Sequence, residues 1–190
     1  MPVQAIAPAE AMRVLRAALP LRTERLVLRT LRPDDIDAVR AYRNAPGQRR
    51  WTYNRDQTEA ELMAWTAGGA PVLLRDGDAA QLGIERDGEL VGDLMVRITS
   101  LGSRQAELGW TIAPEAQGQG VATEAARAAL DLAFAMGAHR VIAHLDEENV
   151  ASRRVAERIG MVVEARHVDD EVNPATGEFG TSLILAARRS

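Results

Sequence analysis

The chain has 190 residues, 46% hydrophobic and 26% charged, with a formal net charge of −4. That is the make-up of one ordinary globular domain with a sizeable core, and nothing in the charge balance asks for a nucleic-acid surface. Cysteine is absent and all 23 basic residues are arginine, which excludes a disulfide framework, a zinc–thiolate site, a cysteine nucleophile, a Schiff-base lysine and a Walker-A lysine.

No stretch approaches the ~20 apolar residues of a membrane span. The first twenty residues lack the basic start and apolar run of a secretory leader. The expected compartment is the cytoplasm, with no membrane partner. Met12, Leu15 and Leu19 recur at helical spacing ahead of Pro20, so residues 1–20 read as a helical extension and 21–190 as the main domain.

Arg25 to Leu31 alternates as a strand. Pro33-Asp34-Asp35 opens a helix that carries Ile36, Val39 and Tyr42 and stops at Asn44-Ala45-Pro46-Gly47. Thr58 to Glu61 resembles a capping box, and its helix carries Leu62 and Trp65 as far as Gly68-Gly69. A meander follows. A strand from about Ala80 to Arg86 meets the hairpin signal Asp87-Gly88; the next strands are Glu89–Thr99 and Gln105–Ala113. The pattern then changes to a helix over Val121–Met136, a strand over Arg140–Leu145 and a helix over Asn149–Ile159. Two final strands, Met161–Val168 and Thr181–Ala187, flank a polar loop. The class is α/β, with an antiparallel front half and a β-α-β-α-β back half.

The segment from Trp110 to Glu124 is a strand, a glycine-rich turn and a helix start. Free N–H groups at a helix start carry roughly half a positive charge, and glycines let a ligand approach the backbone. Such a turn can hold a pyrophosphate without lysine, with Gln117 and Thr123 adding side-chain bonds. It can also be a plain connection. A Rossmann dinucleotide site fits less well. Gly118-Gln119-Gly120 supplies G-x-G and Asp146 stands where a ribose-binding acid would be, but Thr123 replaces the third glycine and the preceding strands read as hairpins.

Gln117-x-x-Gly120-x-Ala122 resembles the acyl-CoA pyrophosphate loop of the GNAT N-acetyltransferases. The ordered run of Thr23–Arg29, Gly83–Val96, Ala106–Trp110, Ala122–Ala125 and Asn149-x-x-Ser152-x-x-Val155-x-x-x-Ile159-Gly160-Met161 is similar to the RimJ/RimL branch, across roughly residues 22 to 168. The resemblance implies a mixed, mostly antiparallel central sheet with a splayed strand pair and flanking helices. It implies an acetyl-CoA-dependent transferase acting on a primary amine, either a protein N-terminus or a small molecule, by direct attack in a ternary complex, with no metal. A non-catalytic acyl-CoA-binding module is the alternative from another class.

Carried over residue by residue, backbone at Ile112 would pair with the pantetheine arm. Gln117, Gly118, Gln119, Gly120, Val121, Ala122 and Thr123 would hold the pyrophosphate, and Asn149 would contact the arm from the other side or cap its helix. Glu107 is the candidate base; alternation places it with Gly109 and Thr111 on one strand face. Many members use a tyrosine on the last helix as thiolate acid. Ala156 stands there, and Ser152 is the replacement in the RimL-like pattern, or else an ordinary first-turn serine. His144 and His167 read as structural. Trp51, Tyr53 and Trp65 are core residues or line an acceptor wall. Asp169, Asp170 and Glu171 form an acidic loop able to attract a cationic amine. Where the family often keeps an Asp and a Tyr, the chain has Glu178-Phe179-Gly180-Thr181, which weakens the case for a ribosomal-protein acceptor. A homodimer through the last strands or the N-terminal helix is open.

Overall fold

The structure, a computed structural model, describes residues 4–52, 58–67, 71–173 and 175–189. Its centre is one eight-stranded sheet: β1 (Leu21–Arg22), β2 (Val27–Thr30), β3 (Ala79–Arg86), β4 (Glu89–Ser100), β5 (Gln105–Ile112), β6 (Arg140–Asp146), β7 (Val162–Val172) and β8 (Phe179–Arg188), in the order β1-β2-β3-β4-β5-β6-β8-β7. Every neighbouring pair is antiparallel except β5 and β6. The helices are α1 (Pro8–Ala18), α2 (Ile36–Arg43), α3 (Gln48–Thr52), α4 (Glu59–Thr66), α5 (Val121–Ala135) and α6 (Val150–Arg158).

The expected elements form for the expected reasons. Asp87 and Gly88 both take positive φ, 54° and 86°, as a tight hairpin between β3 and β4 requires. Thr58 caps α4: its hydroxyl oxygen accepts from the N–H of Glu61, whose carboxylate accepts from the N–H of Thr58. Asn149 caps α6 by accepting from the N–H of Ser152 at 3.0 Å. The polar loop expected from 169 to 181 is largely strand. β7 runs on to Val172 and β8 starts at Phe179, and the ladder crosses an irregularity between His167 and Glu171, where Asp169 takes φ 52°. β7 is an outer strand that turns Val162, Val168 and Val172 to the outside.

Alternation assigns two faces. Leu94, Val96 and Leu108 belong to the main core, with Ala11, Met12 and Leu15 of α1, Ala125 and Ala129 of α5, and Val155 and Ala156 of α6. A smaller cluster on the opposite face packs Val39 and Tyr42 of α2 and Leu62 of α4 around Leu31 and Ala113. Among the described residues no helix is long and apolar enough to cross a membrane.

One buried ion pair ties the second face together. Arg29 on β2 donates to both oxygens of Asp35, at 2.7 and 2.9 Å, and to Glu85 at 2.6 Å. Asp35 also accepts from the N–H of Arg32, fixing the turn that enters α2. Burial by itself would raise the Asp35 carboxyl; the hydrogen bonds from Arg29 and Arg32 outweigh it and hold the group below its usual range. A depressed folded pKa means the pair's contribution is present above the unfolded value of about 3.9 and fades as pH falls through the lower folded value. Asp35→Ala leaves the buried Arg29 guanidinium with Glu85 as its remaining carboxylate partner. It is expected to cost about 1–3 kcal/mol at pH 7, read by urea unfolding, with a smaller penalty when the two proteins are compared near pH 3.

Candidate active site

The site starts from a sheet that does not stay closed. β5 and β6 pair over three residues only, ending at Glu107↔Ile142. Beyond that point β5 follows β4 to Ile112 and β6 follows β8 to Asp146. Ala113 N–H bonds the Val91 carbonyl at 2.9 Å, so Gly92 and Ile112 are a non-hydrogen-bonded pair. Ladder alternation then turns the main-chain groups of Trp110 and Ile112 away from β4 and into the gap. The Ile112 carbonyl accepts from the side-chain amides of Gln117 at 2.9 Å and Gln48 at 3.0 Å. The acceptor side of Ile112 is therefore engaged, while its N–H faces the opening.

A single 3-10 turn, Pro114–Ala116, carries the chain into the glycine loop. Gly118 and Gly120 have φ 72° and 80°, a left-handed conformation costly for any residue with a Cβ. A Cβ on Gly120 would also lie 3.3 Å from an Arg25 nitrogen. Gly120 is the residue before α5 and its carbonyl accepts from Glu124 N–H. The N–H groups of Val121, Ala122 and Thr123 are thus first-turn donors with no carbonyl above them.

The loop is braced from behind. Glu124 accepts from the Thr23 hydroxyl (2.6 Å), the Arg25 N–H (2.8 Å) and the Arg25 guanidinium (2.8 Å). Arg25 also donates to the Gln119 carbonyl, and Arg86 to the Gln119 side-chain oxygen. Burial would raise the Glu124 carboxyl, but the bonds from Thr23 and Arg25 prevail and hold it low. Gln119 is thereby a strut of the loop; its amide nitrogen is tied back to the Glu115 carbonyl.

Gap and loop open into one cavity of about 750 Å³, within the usual range for small-molecule sites. Of the residues assigned from the sequence to catalysis or to the acyl-CoA, all line it except Gln119 and Glu107. Ser152 is half-buried on its wall, and its hydroxyl makes no hydrogen bond among the described residues. Glu107 lies on the same strand face as the cavity residues Gly109 and Thr111, with its carboxylate 3.5 Å from Arg97, which does line the cavity. His144, read as structural, stands on the wall. Asp170, expected in an acidic loop, accepts from the Ser182 hydroxyl at 2.6 Å and lies outside the cavity lining. Trp51 and Trp65 line the cavity; Tyr53 lies outside the described residues.

Sequence reasoning missed Asp93. This carboxylate is 1% exposed. It accepts from the Tyr42 hydroxyl (2.7 Å), two nitrogens of Arg43 (2.9 and 2.5 Å) and the Gln81 amide (2.5 Å). Burial and the neighbouring Asp93 charge push the Tyr42 phenol far above its ordinary value. Arg43 lies over the Trp65 ring, 3.9 Å from its centroid. The one clue in the sequence was position: Asp93 shares a strand face with Met95 and Arg97, where α2 has to pack. Among the described residues no group of His, Asp or Glu could hold a metal ion.

Comparison with known proteins agrees with this geometry. A family model described as an acetyltransferase (GNAT) domain matches residues 25–162. The chain is 32% identical over 149 residues to YnaD, an uncharacterized N-acetyltransferase of Bacillus subtilis (strain 168), covering 74% of this chain and 81% of YnaD. The crystal structure of a GNAT-family acetyltransferase from Bacillus anthracis superposes with a TM-score of 0.76 at 26% identity, over 88% of this chain and 96% of that one. RimL, a ribosomal L7/L12 alpha-N-protein acetyltransferase solved with coenzyme A, shares the fold with a TM-score of 0.75 at 19% identity, over 87% and 95% of the two chains.

Glu124→Ala removes the brace behind the loop. The expected result is faster amide hydrogen exchange across residues 117–123 and a loss of about 1–3 kcal/mol in stability, the usual worth of hydrogen bonds to a charged group, with exchange in β7 and β8 unchanged.

Proposed function

The chain belongs to the GNAT acetyltransferases, and on that premise we propose that it moves an acetyl group from acetyl-CoA to a primary amine, in the manner of the RimJ/RimL branch. The observation that carries this reading is the glycine loop and α5 start standing at the mouth of the β5–β6 gap. An anion at the loop meets the N–H groups of Val121, Ala122 and Thr123 and the positive end of a helix dipole. Gly118 and Gly120 let it approach closely, and Gln117 and Gly120 keep the loop shaped. The backbone of Trp110 and Ile112 offers a thin amide-bearing arm the pairing that β6 gives up. An extended thioester with an anionic tail is the ligand that uses all of these groups.

Attack on a thioester needs a neutral amine, and it needs a proton for the departing thiolate. No enzyme nucleophile is required, as suits a chain without cysteine. Ser152, on the wall with its hydroxyl unspent, is the proposed proton donor to the thiolate. Glu107 is the proposed acceptor of the amine proton, reached through one water from beside Arg97. Asn149 holds α6 and Ser152 in place through its cap, and its remaining amide nitrogen is available to the arm. The working compartment in this reading is the cytoplasm, where acetyl-CoA is made.

Thiol release from acetyl-CoA in the presence of a panel of primary amines tests the proposal. Amine-dependent release is expected. Glu107→Gln should lower kcat by about 10²-fold or more, the usual worth of general-base help, with acetyl-CoA affinity unchanged. Ser152→Ala should lower kcat by about tenfold, the effect of one lost proton-delivery contact. Acetyl-CoA binding without amine-dependent release from any acceptor would favour the non-catalytic binding module.

A further inference from the structure

The acceptor side of the cavity has a composition that selects among amines. Trp51 and Trp65 line the cavity and are half-buried, Trp65 against the small α2–α4 cluster, whereas Trp110 lines it from the opposite sheet face, packed against the main core. Arg43 lies over the Trp65 ring and Arg50 over the Trp51 ring, 3.9 and 4.8 Å from the centroids, so the opposite face of each ring is the one left for a flat apolar partner. Beside them, Met95 and Gly109 face each other across β4 and β5. A Cβ on Gly109 would already touch the Met95 side chain at 3.4 Å, so the glycine keeps this wall shallow.

The charges are equally specific. Among the described residues Asp93 is the only carboxylate on the wall, and it is spent: four donors from Tyr42, Arg43 and Gln81 converge on it. Glu107, just beyond the wall, faces Arg97. Among the described residues a polycationic amine would find one unsaturated carboxylate near the wall, Glu107, which the attacking amine already needs. Arg43 offers an anion little, because Asp93 holds it edge-on and Trp65 covers its face. Arg97 is different. Its side chain is 44% exposed, and among the described residues its one side-chain contact is a long one of 3.5 Å to Glu107, so most of its five donors are available from the cavity.

Resting on the transferase reading above, we propose that the acceptor is a primary amine on a planar apolar body that also carries a carboxylate, the chemistry of an aromatic amino acid, with the tryptophan walls holding the body and Arg97 receiving the carboxylate. The amine attacks the thioester carbonyl, a C–N bond forms as the C–S bond breaks, one proton leaves the amine and one is returned to the thiolate, so the products are the N-acetyl amino acid and the free thiol.

The test pairs acceptors that differ only by the carboxylate. L-tryptophan is compared with tryptamine, and L-phenylalanine with phenethylamine, in the thiol-release assay, with spermidine as the polycation. The carboxylate-bearing member of each pair should have the higher kcat/KM by about ten- to a hundredfold, the worth of one charged hydrogen-bonded contact. Arg97→Gln should bring that ratio close to one, chiefly through KM, and Arg97→Lys should restore part of it. Acetyl-CoA affinity, measured on each variant, shows whether the protein is folded. Preference for spermidine, preference for the amines without carboxylate, an unchanged ratio in Arg97→Gln, or turnover of no amino acid by protein that binds acetyl-CoA would each overturn the inference. Failure of the wild-type protein to bind acetyl-CoA would instead remove the transferase reading beneath it.

Discussion

β5 cannot serve two neighbours along its whole length. It is bonded to β4 from Gln105 to Ile112, while its parallel partner β6 leaves after Ile142 to follow β8. The backbone groups that β6 gives up, at Trp110 and Ile112, must be met by something else. Part of the need is met inside the chain, since the amides of Gln48 and Gln117 reach the Ile112 carbonyl. The rest faces a cavity. Nearly everything else at the site follows from the opening: α5 can begin at its mouth, α6 can present Asn149 and Ser152 from the far strand, and the α2–α4 side can close one end.

Two carboxylates far apart in sequence hold the opening in shape. Glu124, on the first turn of α5, gathers Thr23 and Arg25 and through Arg25 reaches the Gln119 carbonyl, so the glycine loop is anchored to the start of the sheet. Asp93 gathers Tyr42, Arg43 and Gln81 and sets α2 against β3 and β4. Both are saturated by arginine and hydroxyl donors, so their role is mechanical. Together they brace the cavity from the glycine loop and from α2.

Much of this is legible in the amino-acid sequence. Hydrophobic alternation located β3, β4 and β5, Asp87-Gly88 marked the hairpin, and Thr58 and Asn149 marked helix starts, because each of these signals is local. The glycine loop was legible because left-handed backbone at Gly118 and Gly120 leaves a residue-type signature. Long-range facts were not. Nothing local says that Asp93 meets Arg43, fifty residues away, or that Glu107 faces Arg97 across a strand pair. The extension of β7 and β8 into the expected loop was hidden because Asp169, Asp170 and Glu171 are poor strand formers; Glu171 is held by pairing with Gly180 of β8 and Asp170 by the Ser182 hydroxyl. His144 looked structural because a lone histidine on a strand has no pattern. Only the parting of β5 and β6 puts it on a cavity wall.

The central claim is that the strand gap and glycine loop together hold an acyl-CoA. Calorimetric titration of the protein with acetyl-CoA, CoA and NAD tests it most directly, with Gly120→Glu as the paired variant. Binding of both acetyl-CoA and CoA, no binding of NAD, and loss of CoA binding in folded Gly120→Glu are the predicted results. Absence of CoA binding, or CoA binding that Gly120→Glu leaves intact, would contradict the account.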